Sequence, residues 1–183
     1  MTKLEKGAVL VVIDAQKAWL EPEIGKRNNP YAEKVINKLI VTFRNRRLRI
    51  IHVRHESSNP ASLFREGKPT FEFIEEAEPA SNELVITKHV NSAFIGTNLE
   101  SILRKMKDPQ VFYVGFVTDH CVSTTARMSG NLGFRSHVIE DGCATFDRVD
   151  PEGNRIAAGL VHKVNLASIN EEFAKVISSK DIL

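Results

Sequence analysis

The sequence lacks any long run of hydrophobic residues. No apolar stretch approaches the roughly 18 residues that a membrane-spanning helix requires, and the opening segment, residues 1–7, is short and charged. We therefore expect a cytoplasmic protein with no membrane partner.

Charge of one sign is also missing. The 25 basic and 23 acidic residues leave a formal net charge of only +2, far below the excess that gripping phosphate backbones demands. The densest basic stretch holds four arginines at residues 44–49, where a predicted helix ends and cations favour its dipole. Nucleic acid is therefore not an expected partner.

Cysteine is scarce, with only Cys121 and Cys143 in the chain. A reducing compartment keeps both as thiols, so a structural disulfide is not expected. Cys143 follows a predicted strand in an apolar context and is assigned a structural role, because buried cysteines commonly pack as small hydrophobes. Reactivity is left open as the explanation for Cys121.

Apolar runs of strand length alternate with helical patterns along the chain. The runs lie at residues 8–13, 50–53, 84–86, 111–117 and 137–139, and the helical patterns lie at residues 31–48, 99–106, 122–132 and 156–164. This alternation predicts a doubly wound α/β fold with a mainly parallel sheet. A chain of 183 residues buries roughly two thirds of its unfolded surface in one core, so we expect a single domain over residues 1–183.

Two of the predicted helices have a start signal, because Asn29 and Asp150 each stand before a proline. Residues 59–79 contain three prolines and few periodic signals. We predict that they form a long excursion over the strand ends, of the kind that supplies the lid or rim of a site.

Three reactive side chains follow predicted strands. Asp14 ends the first strand, Lys88 follows the third and Cys121 lies just after the fourth. Ligands bind beyond the carboxyl ends of strands in open α/β sheets, so these side chains are predicted to share one crevice. Each alone has an ordinary structural explanation; together they suggest an activated nucleophile.

The chemistry predicted for this trio is covalent acyl transfer. A helix start next to Cys121 and the nearby Lys88 are expected to lower the pKa of the thiol. Asp14 is then the general base that accepts the thiol proton.

The stretch GFVTDHCV at residues 115–122 resembles the nucleophile loop of the isochorismatase-like hydrolases, which include nicotinamidases, N-carbamoylsarcosine amidohydrolases and isochorismatases. Further segments are similar to other motifs of that family: VVIDAQKAW at 11–19, ITKHVNSAFIGTNLE at 86–100 and CVSTTARMSGNLGFRSHVIEDGCAT at 121–145. Together they cover residues 10–174. The resemblance implies a three-layer α/β/α fold of Rossmann-type topology.

The resemblance also implies roles for single residues. Asp14 becomes the base, Lys88 the electrostatic partner and Cys121 the nucleophile. A cis peptide bond is implied between Phe116 and Val117, with the backbone amides of Val117 and Cys121 forming an oxyanion hole. The remaining implied pocket residues are Gln16, Trp19, His55, Phe64, Phe94, Thr118 and His120.

The sequence departs from the metal-binding members of the resembled family. Nicotinamidases hold a metal through an Asp-x-His pair after the second strand, whereas this chain has Arg54 before His55. His52 and His55 lie three apart on a strand and so point to opposite faces. We therefore expect no metal and no cofactor.

The leading hypothesis is a metal-independent cysteine hydrolase that cleaves the C–N bond of a small amide, carbamoyl or lactam compound through a thioester. The alternatives are isochorismatase-type hydrolysis of an enol ether, for which Cys121 is dispensable, and a thiol redox or binding module. A phosphoryl-transfer protein is disfavoured, because Gln16 stands where a phosphatase needs a second aspartate. By resemblance, the protein is expected to be a homo-oligomer, a dimer or higher, acting on a small-molecule substrate.

Overall fold

The fold is built on one six-stranded parallel sheet. The structure is a computed structural model and describes residues 3–183. Its strands are β1 Val9–Ile13, β2 Arg49–His55, β3 Leu84–Lys88, β4 Gln110–Phe116, β5 Arg135–Ala144 and β8 Lys175–Ile177. They follow the order β3-β2-β1-β4-β5-β8, and every neighbouring pair is parallel. The predicted parallel α/β fold is confirmed.

Helices cover both faces of the sheet, because successive residues of a buried strand point to opposite sides. The helices are α1 Ala32–Asn45, α2 Leu99–Lys105, α3 Ser123–Asn131 and α4 Ala158–Ile169. Leu10 and Val12 of β1 pack in the cluster that contains the buried face of α1. Val9, Val11 and Ile13 pack in the cluster with α2, α3 and α4. The result is the expected three-layer α/β/α arrangement.

Some local predictions at the chain's C-terminal third are wrong. Residues 148–156 form a small hairpin of β6 Arg148–Val149 and β7 Arg155–Ile156, where the sequence suggested the start of a helix. Asp150 closes this hairpin by accepting from the Asn154 amide at 2.7 Å. Asp147 accepts from the Ala158 amide at 2.8 Å instead, so it is Asp147 that caps α4.

Asn29 also has a different task from the predicted one. The helix α1 begins at Ala32 without a side-chain cap. The Asn29 amide donates to the carbonyl oxygens of Glu140 at 3.1 Å and Cys143 at 2.6 Å. It therefore fastens the loop after β1 to the end of β5.

Strands β1 and β4 approach unusually closely near the site. Gly115 lies in β4 opposite Ile13, with a φ of +126°. A Cβ placed there would lie 1.9 Å from the Ile13 carbonyl oxygen, so only glycine fits. The register between β4 and β5 also shifts between Tyr113 and Gly115, as at a β-bulge. These features set the strand ends from which the site is built.

The side chain of Gln16 attaches the long excursion after β2 to the loop that follows β1. This fully buried side chain donates to the carbonyl oxygens of His55 at 3.1 Å and Phe71 at 2.8 Å, and accepts from the His55 amide at 2.8 Å. The backbone around Ala15 and Lys17 pairs with Ile74 and Glu72 in the same region. The excursion is therefore anchored where it leaves β2 and again at residues 71–74.

No helix in residues 3–183 is long and apolar enough to cross a membrane.

Candidate active site

The carboxyl ends of β1, β3 and β4 bring Asp14, Lys88 and Cys121 together. Lys88 Nζ lies 2.7 Å from Asp14 Oδ2 and 3.2 Å from Cys121 Sγ. Asp14 and Lys88 are fully buried, and Cys121 is 6% exposed. The chain adds strands on one side of β1 up to β3 and then on the other side from β4 onward, so the strand order reverses between β1 and β4. Such switch points are where α/β folds bind ligands.

Asp14 leaves β1 in the left-handed backbone region, at φ 49°, which aspartate tolerates better than most residues. Its amide donates to Val53 O at 2.8 Å, and its carbonyl accepts from Trp19 Nε1 at 2.8 Å. Among residues 3–183, neither carboxylate oxygen accepts a hydrogen bond, and the charge of the carboxylate is balanced by Lys88 at ion-pair distance from Oδ2.

Cys121 lies in a π-helical turn, Thr118–Val122, that continues into α3. The peptide bond between Phe116 and Val117, just before this turn, is cis, which is the bond that the resemblance implies. The π-helical turn is a local irregularity of a kind frequent at functional sites.

The electrostatics of the thiol differ from the expectation. Burial raises the pKa of the Cys121 thiol, and the negative charge of Asp14 raises it further, while Lys88 lowers it. Burial also lowers the pKa of Lys88, but Asp14 and Cys121 more than offset this, so its pKa lies above the ordinary value. The predicted lowering of the thiol pKa is wrong, because one cation already neutralised by Asp14 does not outweigh burial.

Aromatic side chains form one wall of the site. Trp19 lies between Phe64, at 4.7 Å between ring centroids, and Phe146, at 5.7 Å. Phe64 also meets the His55 ring edge-on at 5.8 Å. Trp19, Phe64 and His55 are half-buried, so these three predicted pocket residues lie together beside Asp14.

Three other predicted pocket residues are buried and directed at protein neighbours. Gln16 gives its amide to the backbone, Phe94 stacks on Phe134 at 5.9 Å, and Thr118 contacts His162 Nδ1 at 2.8 Å. These contacts hold the three side chains in place around the candidate site. His120 is exposed next to Cys121, 3.5 Å from Asp119.

The structure also shows residues that the sequence did not single out. Asn91 is exposed, with its Oδ1 3.8 Å from Cys121 Sγ. It lies three residues after Lys88 within the lysine motif at residues 86–100. A polar residue so close to the end of a strand could have been predicted to lie near the site. Asp119 accepts a hydrogen bond from Arg148 Nε at 2.7 Å. This bond connects the turn that contains Cys121 to the hairpin at residues 148–156. Nothing in the sequence pattern indicates the pair.

The residues at the metal position of the resembled nicotinamidases do not fit a metal. Arg54 places its guanidinium over the Phe71 ring at 4.5 Å and donates to Thr87. His55 Nδ1 lies 3.5 Å from the Lys88 ammonium, a cation that a divalent ion would repel. Within residues 3–183, no group of three or more His, Cys, Asp or Glu side chains could hold a metal.

Comparisons with known proteins agree on one family. The Isochorismatase domain matches residues 8–181. The isochorismatase family protein YrdC of Bacillus subtilis is 38% identical over 180 residues, covering 98% of this chain and 96% of YrdC. The secreted isochorismatase effector Isc1 of Verticillium dahliae is 38% identical over 181 residues, covering 99% and 93%.

Solved structures and more distant relatives extend the likeness. An isochorismatase-family structure from Chromobacterium violaceum is 43% identical with a TM-score of 0.93, covering 95% of this chain and 90% of that one. N-carbamoylsarcosine amidase from Thermoplasma acidophilum is 27% identical with a TM-score of 0.74, covering 95% and 97%. Maleamate amidohydrolase of Pseudomonas putida is 28% identical over 118 residues, covering 64% and 50%. With the domain match across nearly its whole length and these relatives, the chain belongs to the isochorismatase family and is a hydrolase of that family.

Proposed function

We propose that this protein is a metal-independent cysteine hydrolase that cleaves a C–N bond in a small amide, carbamoyl or lactam compound. The observation that carries the proposal is the buried lysine between an acid and a thiol, with Lys88 Nζ 2.7 Å from Asp14 and 3.2 Å from Cys121. Relatives named for amide hydrolysis, including maleamate amidohydrolase and N-carbamoylsarcosine amidase, support the type of bond.

The proposed first half-reaction forms a thioester. Asp14 takes the proton of the Cys121 thiol as Sγ attacks the substrate carbonyl, and the backbone amides of Val117 and Cys121 donate to the oxyanion. Protonated Asp14 then gives its proton to the leaving nitrogen as the C–N bond breaks. Asp14 next activates a water molecule, which releases the acid and restores the thiol.

The raised pKa of the thiol fits this proton path. A thiol with a raised pKa is protonated at neutral pH, so the proposed path begins with transfer of its proton to Asp14. Lys88 stays charged, because its pKa is also raised, and its ammonium stabilises the sulfur as negative charge develops there.

The test is a screen of amides, carbamoyl compounds and isochorismate with wild-type protein and Cys121→Ala, each treated with chelator. We expect turnover of at least one C–N substrate by the wild type and a loss of about 10³-fold or more in Cys121→Ala. The matched control is Cys143→Ala, which removes the other thiol outside the site. Mass spectrometry of the quenched wild-type reaction should find the acyl group on Cys121. Full activity of Cys121→Ala would contradict the proposal.

The second candidate is hydrolysis of an enol ether, which needs proton transfer and no thiol. Asp14 lies buried 2.7 Å from the Lys88 ammonium, and this pair can supply the proton transfer without Cys121. Under this candidate, Asp14→Asn abolishes turnover of isochorismate and Cys121→Ala leaves it intact. The same pair of variants therefore separates the two reactions.

A further inference from the structure

His55 ends β2 and contacts the catalytic lysine directly. Its Nδ1 lies 3.5 Å from Lys88 Nζ, and its backbone is held on both sides by the Gln16 amide. The ring is half-buried against the edge of Phe64. Its place in the site is therefore fixed by three separate elements of the fold.

The Lys88 ammonium determines which nitrogen of His55 carries a proton. An ammonium has three N–H donors and no acceptor. Three acceptors surround it: Asp14 Oδ2 at 2.7 Å, Cys121 Sγ at 3.2 Å and His55 Nδ1 at 3.5 Å. An N–H at Nδ1 would point at the ammonium, so the geometry favours a neutral ring with its lone pair on Nδ1 and its proton on Nε2.

The charges around His55 keep the ring neutral. Lys88 and His89 face it from the end of β3, Asp14 from the end of β1, and Glu56 from the next residue along the chain. Burial lowers the pKa of His55, and Lys88 lowers it further, while Asp14 and Glu56 raise it less. At neutral pH the imidazole therefore has one donor and one acceptor.

The buried Lys88 ammonium already faces three acceptors of the protein, Asp14 Oδ2, Cys121 Sγ and His55 Nδ1. His55 Nε2, in contrast, makes no hydrogen bond to any residue of the described chain, 3–183. We propose that Lys88 fixes His55 as the neutral Nε2–H tautomer and that Nε2–H donates a hydrogen bond to an oxygen of the substrate bound at Cys121.

This inference rests on the proposed function for the position of the substrate and deepens it by naming a chemical class. The favoured substrate carries a second oxygen acceptor, a carbonyl or a carboxylate, near the amide that is cleaved. A neutral donor on one side and the thiol on the other would orient such a compound between them.

The tautomer is tested by ¹H–¹⁵N spectroscopy of the histidine side chains. We expect His55, assigned by the signal missing in His55→Gln, to be the neutral Nε2–H form at pH 7.5 with a pKa below that of a free histidine. Exposed His89 serves as the reference within the same spectrum. An Nδ1–H tautomer, or a ring that is charged at pH 7.5, would overturn the proposal.

The donor role is tested without any need for turnover. Compounds are compared by how well they protect Cys121 from iodoacetamide, using succinamate against butyramide, a pair that differs by a carboxylate in place of a methyl group. In the wild type, succinamate should protect at concentrations about 10-fold lower than butyramide. His55→Leu should abolish this preference, and His55→Gln, which keeps a donor, should restore it.

The unprotected alkylation rate is measured for each variant, and protection is expressed relative to that variant's own rate, so that a change in thiol reactivity is not counted as a change in binding. Equal protection by the two compounds in the wild type, or a preference that survives in His55→Leu, would contradict the donor role. Absence of any C–N cleavage would refute the proposed function alone, because protection does not depend on cleavage.

Discussion

Lys88 sets the behaviour of the residues around it. Its ammonium is fully buried, a placement that is very costly for an unpaired charge. Asp14 supplies the opposite charge at 2.7 Å, so each member of the pair makes the burial of the other tolerable. The geometry of the candidate site and the stability of this corner of the fold therefore depend on the same contact.

Lys88→Met should destabilise the protein by about 3–5 kcal/mol, because it leaves the buried Asp14 carboxylate without a cation. Urea denaturation followed by circular dichroism measures the change. The double variant Asp14→Asn/Lys88→Met should recover part of the loss, since no charge is then buried. Equal stability of the single and double variants would contradict this account of the pair.

The reactivity of Cys121 with iodoacetamide should rise with pH and show no plateau up to about pH 9.5. Only the thiolate reacts, and a raised pKa means that the thiolate fraction keeps growing through the ordinary thiol range. Cys143 is fully buried and should stay unmodified in the folded protein, which mass spectrometry of tryptic peptides can check. A plateau near pH 7 would instead indicate a lowered thiol pKa.

At the scale of elements, Glu83 joins α1, β2 and β3 at the amino end of β3, whereas the candidate site lies at the carboxyl ends of the strands. It lies just before β3 and accepts from Arg44 of α1 at 2.8 Å, while His52 of β2 lies 2.9 Å from it. Burial raises the pKa of Glu83, but the bonds from Arg44, the Ala80 amide and His52 outweigh it and lower the pKa to about 2. The ionised form is thus the one that holds α1, β2 and β3 together.

Glu83→Gln should lower the free energy of unfolding by about 1–2 kcal/mol at pH 7, a figure reduced for the partial exposure of Arg44. A carboxylate whose pKa is depressed on folding stabilises the protein above its unfolded pKa, and that contribution is lost as the pH falls from about 4.5 to about 2. Denaturation at several pH values should show the two proteins converging in acid. Glu100→Gln, in an exposed pair with Arg104, is the control and should change little.

Gly115→Ala should destabilise the fold by about 3 kcal/mol or more, because the added Cβ collides with the Ile13 carbonyl in a backbone region that alanine avoids. The control is Gly133→Ala, which also has a positive φ, +83°, but meets no atom within 4 Å. That change should cost only about 1 kcal/mol. Similar thermal unfolding shifts for the two variants would show that the contact with β1 is unimportant.

The elements that the sequence predicted well are those with a continuous apolar pattern. The strands β1 and β4 lie within one residue of their predicted positions, because burial on both faces leaves a clear signal. The helix α2 also begins at its predicted residue, with Leu99 and Leu103 buried at helical spacing. β8 was not predicted, since three residues, Lys175–Ile177, are too few to show a period. The hairpin at residues 148–156 depends on hydrogen bonds that Asp150 accepts. In the sequence, an aspartate before a proline looks the same whether it closes a hairpin or caps a helix.

The sequence predicted some features of the candidate site and not others. Asp14, Lys88 and Cys121 could be brought together because strand ends of a parallel sheet share an edge. The direction of the thiol pKa could not be read from the sequence, since it depends on how deeply Sγ is buried and on a cation already paired with Asp14. Gln16 was assigned to the pocket, yet its bonds to His55 and Phe71 depend on where the loop returns.

At the scale of the whole molecule, one edge of the sheet carries the proposed chemistry without a metal. Dialysis against a chelator should therefore leave the rate of hydrolysis unchanged within about twofold, because Arg54 and Lys88 place positive charge where a metal would have to lie. Metal analysis of the dialysed protein together with an activity assay checks this. A loss of activity that zinc or iron restores would contradict it.

The amide of Gln16 bonds to the excursion at His55 and at Phe71, so both ends of the intervening stretch are attached to the residues that follow β1. We expect the residues between these two attachment points, Phe64 included, to tolerate changes in length or composition. Asp14, Lys88 and Cys121 would keep their positions. Substrate range in such a protein would then be a property of an exchangeable insert, and grafting residues 57–70 from a relative is a direct route to redesigning it.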